Sequence, residues 1–150
     1  MKDIFIDNNV ASKFCNPMDP EYLKLVNWLL KDSLAHLVVS KKLIREYMAS
    51  NKGATSGTSI TVLISRLSIE GRLVNIGNEE IREFKRIHFR KKVESKLTCN
   101  TEDRDHIPVV LLSKRKYALA YDQNFLTDLV NFPGFNVTAA SRPEKLPYSK

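Results

Sequence analysis

Asp3-Ile4-Phe5-Ile6-Asp7-Asn8-Asn9-Val10 sets three consecutive apolar side chains directly before an acid. A run this brief reads as a buried strand of an α/β domain, with Asp7 at its carboxyl end. The pattern returns in His36-Leu37-Val38-Val39 before Ser40, and in Tyr117-Ala118-Leu119-Ala120-Tyr121 before Asp122. Helical stripes lie between. Asp19-Pro20 offers an N-cap and a proline at the first helical position, followed by Tyr22, Leu25, Val26, Leu29 and Leu30 on one face. Ser40 can cap a helix carrying Leu43, Ile44, Glu46 and Tyr47, and Ile60, Leu63, Ile64 and Leu67 define another that stops near Gly71. Strands alternating with helices predict right-handed crossovers. The expected fold is α/β, with a central parallel sheet flanked by helices.

The remaining segments are less regular. Leu73 to Ile76 is either a short strand or the exit from the preceding helix. One charged helix is expected from Asn78 to about Leu97. Pro108 is tolerated only in a first turn, which predicts an apolar helix from Asp105 to about Arg115. Asn136–Ala139 reads as an edge strand. The loop Asn51-Lys52-Gly53-Ala54-Thr55-Ser56-Gly57 is too short to divide two domains. One domain over 1–141 is therefore expected, with 142–150 as a loose basic tail.

A net charge of +7 over 150 residues favours a polyanionic partner such as RNA, DNA or an acidic membrane surface, although many small basic proteins merely stay soluble this way. Cys15 and Cys99 stand far apart with no Cys/His zinc spacing, which argues against a structural zinc and predicts reduced thiols in a cytoplasmic protein. No apolar stretch approaches the ~20 residues of a membrane span, so no membrane association is expected. The opening residues lack the apolar core of a signal peptide.

Against this basic background four acids fall where a parallel sheet gathers its strand ends. They are Asp7, Glu46, Asp105 and Asp122, with Asp103 as the rival for the third place. Ligands of such sheets bind outside the carboxyl ends of the strands. Clustered carboxylates repel unless a cation neutralises them, and an oxygen-only set suits a hard ion such as Mg²⁺. This points to metal-dependent phosphodiester chemistry, and predicts raised carboxylate pKa values in a metal-free cleft. Any one of these acids alone would be explained by capping, since Asp commonly ends strands and starts helices.

In order along the chain, these segments resemble the PIN-domain family of VapC-like metal-dependent ribonucleases. Ile4-Phe5-Ile6-Asp7-Asn8-Asn9-Val10 is similar to that family's opening strand and Asp-x-Asn-Val motif. Val38-Val39-Ser40-Lys41-Lys42-Leu43-Ile44-Arg45-Glu46 looks like the second motif, with its helical Glu. Asp105-His106-Ile107-Pro108-Val109-Val110 resembles the third, and Ala120-Tyr121-Asp122-Gln123-Asn124-Phe125 the fourth. The chain departs from the pattern at Ala120 and Tyr121, where Ser or Thr is usual, and at Val109 to Leu112, where small residues are usual.

The resemblance implies a single PIN-like domain that hydrolyses RNA with Mg²⁺ or Mn²⁺. Asp7, Glu46 and Asp105 would be ligands, and Asp122 a ligand or an orienting group. It also implies a possible toxin role, with an antitoxin protein as partner. A second reading is a PIN-like module that binds RNA or protein without cutting. A haloacid-dehalogenase-like phosphatase is disfavoured, because Asn9 stands where its general acid is needed.

Other features keep two readings. Arg82, Arg86 and Arg90, with Lys85 and Lys92, form either a stripe that tracks a nucleic-acid backbone or a solvated face paired with Glu79, Glu80 and Glu83. Lys114-Arg115-Lys116 reads as a basic helix C-terminus. Trp28 belongs to the core or to a self-association surface of a homodimer. Asn9 is a hydrogen-bond partner for a carboxylate or a turn residue, and His106 reads as a helix-surface imidazole.

Overall fold

The structure, a computed structural model, describes every residue from Met1 to Lys150. In chain order the elements are β1 (Lys2–Ile6), α1 (Asn8–Ala11), α2 (Pro20–Lys31), β2 (Ala35–Val39), α3 (Lys41–Ser50), α4 (Ile60–Ile69), β3 (Leu73–Asn75), α5 (Asn78–His88), α6 (Lys91–Glu94), α7 (Ile107–Leu112), β4 (Tyr117–Leu119), α8 (Gln123–Val130) and β5 (Thr138–Ala140). Ile4, Phe5 and Ile6 are fully buried because β1 is the central strand of a five-stranded sheet ordered β3-β2-β1-β4-β5. Every pairing is parallel.

The sheet grows from β1 to β2 and β3 on one side, then resumes at β4 and β5 on the other. The strand order thus reverses between β1 and β4, the point at whose carboxyl ends sheets of this kind form a ligand crevice. Asp7 and Asp122 follow those two strands, and the Asp7 N–H donates to the Leu119 carbonyl at 2.9 Å.

Local signals act as read. Asp19 accepts from the Glu21 N–H ahead of α2, and Ser40 accepts from the Leu43 N–H at 3.1 Å to start α3. The apolar stripes of α2 and α4 face the sheet, with Leu25, Leu29, Ile60, Leu63 and Leu67 fully buried. No helix is long and apolar enough to cross a membrane.

Four expectations are corrected, each by a distant contact. The charged helix ends at His88, because Phe89 turns aside into an aromatic cluster with Phe84 and Phe132. The apolar helix starts at Ile107 after a 3-10 turn over Asp103–His106, and stops at Leu112. Its stop is imposed by Asp3, whose fully buried carboxylate accepts the N–H groups of Lys114 and Arg115 at 2.9 Å each. The basic segment Lys114–Lys116 is therefore a connection into β4 and not a helix terminus. Finally, the carboxyl-terminal segment is docked: Leu146 is buried, and Arg142 binds Asp19 at 2.6 Å and Glu144 at 2.9 Å. Tyr148 packs on Trp28 with ring centroids 5.0 Å apart.

Candidate metal centre

β1 delivers Asp7 to the crevice, and the α3 cap sets Glu46 opposite it. Glu46 lies two turns into α3, on the side that faces β1. Beneath them Tyr47 is fully buried, and its hydroxyl donates to the Ile6 carbonyl. Burial first, then the negative charges of Asp7 and Glu46, hold that phenol well above its ordinary range. The hydroxyl thus stays a donor and anchors the strand end that carries Asp7.

The third contributor is His106. Its ring is 1% exposed and packs against Phe5 at 5.7 Å, and Nε2 reaches the Glu46 carboxylate at 2.8 and 3.2 Å. Asp7, Glu46 and His106 each present a ligand atom, all within 4.8 Å of one another. The sequence reading placed His106 on a helix surface. It is buried instead because Asp103–His106 is a 3-10 turn, in which residues i and i+3 eclipse. The same geometry puts Asp103 on the His106 side of the turn.

Asp105 has another task. Its two carboxylate oxygens are taken by Lys42, at 2.8 Å, and by Lys85. Burial works against its charge, but the two lysines outweigh burial and hold its pKa below the ordinary carboxylate value. Asp103 behaves in the opposite way. Burial raises its pKa; the pull of His106 and Lys42 opposes the rise, while Asp122 and Glu46 add to it. Asp7 is likewise raised, chiefly by burial and further by Asp103 and Glu46, with His106 and the Asn8 N–H opposing. Asp103 is thus the acid in electrostatic reach of Asp7, Glu46 and Asp122. Asp105, expected in the third place, is engaged by two lysines in this structure, whereas its rival Asp103 has no Lys or Arg partner.

Asp122 caps α8, accepting the Asn124 and Phe125 N–H groups at 2.8 and 3.2 Å through one oxygen. Its other oxygen makes no hydrogen bond within the chain. Asn9 is exposed and bonds no carboxylate. The amide below the site is that of Asn8, which donates to Ser50 at 2.7 Å and leaves its own oxygen buried without a partner. The helix stripe resolves largely into a solvated face, since Arg82 pairs with Glu79 and Arg86 with Glu83. Lys85 turns from it to bind Asp105.

The donor chemistry fits a divalent cation. None of Asp7, Glu46, Asp103 and Asp122 is paired with a Lys or Arg side chain, in a chain with seven cations in excess. Partly buried carboxylates left unneutralised repel one another, and an ion held by oxygen ligands removes that cost.

No protein-family profile matches the chain, and no curated protein matches it. Among solved structures it is similar to a chain of VapBC2 from Rickettsia felis, crystallised bound to a DNA fragment from its promoter. The likeness has a TM-score of 0.59 at 13% identity, and covers 91% of this chain and 98% of that one. At that identity the likeness is one of fold.

Proposed function

We propose that this protein is a PIN-type endoribonuclease dependent on Mg²⁺ or Mn²⁺, with Asp7, Glu46, Asp103 and Asp122 as its acidic centre. The observation that carries the reading is the Asp7–Glu46 carboxylate pair, whose ligand atoms lie within 4.8 Å of one another beside the sheet's switch point in a basic chain. The VapBC2 likeness supports it at the level of fold.

Asp7 and Glu46 would hold the cation, with Asp103 and the free oxygen of Asp122 completing its surroundings, directly or through water. The bound ion supplies an acidified water and neutralises charge on the phosphate. The protein's own part is orientation. Nδ1 of His106 has no hydrogen-bond partner, so the tautomer with its proton on Nε2 costs least: a buried lone pair is less expensive than a buried unpaired N–H. That tautomer donates to Glu46 and fixes the carboxylate's direction, which makes His106 a positioning residue and not a ligand. Asp105 keeps Lys42 and Lys85 beside the centre. The likeness to VapBC2 also motivates a toxin role restrained by an antitoxin protein, in a soluble, cytoplasmic setting.

The test is cleavage of a labelled RNA by the purified chain. Activity is expected with Mg²⁺ or Mn²⁺, lost on chelation and restored by adding the ion back. Cleavage that persists under chelator overturns the metal mechanism. RNA binding without cleavage, whichever divalent ion is supplied, would make the protein an inactive PIN-like module.

A further inference from the structure

One helical turn before Glu46, two lysines from different helices meet on a single carboxylate. Lys42 of α3 and Lys85 of α5 both bind Asp105, and Lys42 also donates to the Glu102 carbonyl at 2.9 Å. The lysine side chains are only 35% and 33% exposed. They line a cavity of about 280 Å³ together with Ser40, Asn78, Arg82 and Asp105. Surface ion pairs add little stability, because ordering long side chains offsets most of the attraction. A protein that nevertheless holds two ammonium groups convergent has already met the entropic cost of presenting them to an anion. Two cations against one carboxylate leave an excess of positive charge in the cavity. Lys42 and Glu46 are four residues apart on α3, a rise of roughly 6 Å, so this positive cavity borders the acidic centre.

We propose that Lys42 and Lys85 form a subsite for a backbone phosphate of single-stranded RNA, adjacent to the phosphodiester at the acidic centre, and that Asp105 holds the phosphate's place in the free protein. This rests on the ribonuclease reading for the identity of the polyanion. Asp105 keeps the two ammonium groups together when no nucleic acid is present, and an incoming phosphate offers both lysines more acceptor oxygens and charge than the carboxylate does. The lysines read no base. They set where the strand lies relative to Asp7 and Glu46, which is the positioning role of backbone contacts.

The experiment measures binding of a fluorescein-labelled single-stranded RNA by anisotropy across a KCl series, in the full chain carrying Asp7→Asn so that the RNA survives, with Mg²⁺ present. Lys42→Ala and Lys85→Ala are each expected to weaken binding about fivefold and to reduce the slope of log affinity against log salt by about 0.7, the value for one phosphate contact on a single strand. Asp105→Asn is expected to tighten binding, a gain that loss of folding cannot mimic. Arg86→Ala, which removes the same charge from the exposed face of α5, should leave the slope unchanged. Melting curves on every variant exclude misfolding.

The proposal is overturned if the parent fails to bind RNA, if both lysine variants keep its slope, or if Asp105→Asn binds no tighter. Cleavage by the chain with Asp7 intact, assayed separately with and without chelator, decides the ribonuclease reading. Lysine-dependent binding without cleavage would sustain the subsite and sink that reading. Metal-dependent cleavage with lysine-independent binding would do the reverse.

Discussion

Asp7→Asn should leave a folded protein whose RNA cleavage falls by about 10²–10³-fold or more, the scale for removing one preorganised electrostatic group from a reacting centre. The substitution keeps the side chain's size and removes one charge from the acidic centre. Its effect on stability has the opposite sign. The folded pKa of Asp7 is raised, chiefly by burial, so the ionised form is disfavoured in the folded protein relative to the unfolded chain. That penalty is absent below the ordinary carboxylate pKa of 3.8, grows as pH rises toward the raised folded value, and is complete above it. Without metal, the Asn variant should therefore melt at or above the parent's temperature at neutral pH, and its advantage should shrink as the medium is acidified. Adding Mn²⁺ reverses the order. At a hundredfold excess over its Kd a ligand contributes about 2.7 kcal/mol, roughly 5–10 °C for a domain of this size. The parent should show that shift and the variant should not. An equal shift in both would remove Asp7 from the cation's surroundings.

Asp128→Ala should be the most damaging single change outside the apolar core, costing about 3 kcal/mol on the scale of hydrogen bonds to charged groups, or roughly 6–12 °C in melting temperature. This buried carboxylate accepts the Thr98 N–H through both oxygens at 2.9 Å, the Thr98 hydroxyl at 2.9 Å and the Cys99 N–H at 2.8 Å. It thereby ties to α8 the segment that leads into Asp103 and His106. Burial alone would raise its pKa, but the donors from Cys99 and Thr98 outweigh burial and depress it. Its stabilising contribution is thus present above the ordinary carboxylate range and is lost as pH falls through the depressed folded value. The deficit of Asp128→Ala should be largest at neutral pH and shrink in acid, where the part supplied by ionisation is lost. Loosening the 98–106 segment should also reduce cleavage, since Asp103 and His106 ride on it. A variant that melts like the parent at pH 7 would contradict this account.

What could be read in advance depended on whether the deciding contact was local. β1 was legible because Ile4-Phe5-Ile6 has no polar interruption. Asp19-Pro20 and Ser40 declared their helices because a cap bonds backbone two or three residues away. Asp7 and Glu46 could be placed near one another because Asp7 ends β1 and Glu46 lies on the helix that follows the adjacent parallel strand β2. The third acid could not be fixed, since it depended on a 3-10 turn that sends Asp103 and His106 one way and Asp105 another. Pro108 located the first turn of α7 without revealing what preceded it. Asp3, Asp128 and Lys85 act on residues 111, 29 and 20 positions away, and no periodicity encodes such pairs. The docking of Tyr148 on Trp28 was missed for the same reason. His106 left one trace, its spacing of three from Asp103, which has meaning only once the turn is known.

The most direct measurement is anomalous diffraction from crystals of this protein soaked in Mn²⁺. A peak is expected between the Asp7 and Glu46 carboxylates, with Asp103 oriented toward it, Asp105 still on Lys42 and Lys85, and His106 Nε2 still on Glu46. No peak at saturating Mn²⁺, or a peak elsewhere on the surface, would contradict the acidic centre as a metal site and the ribonuclease reading with it.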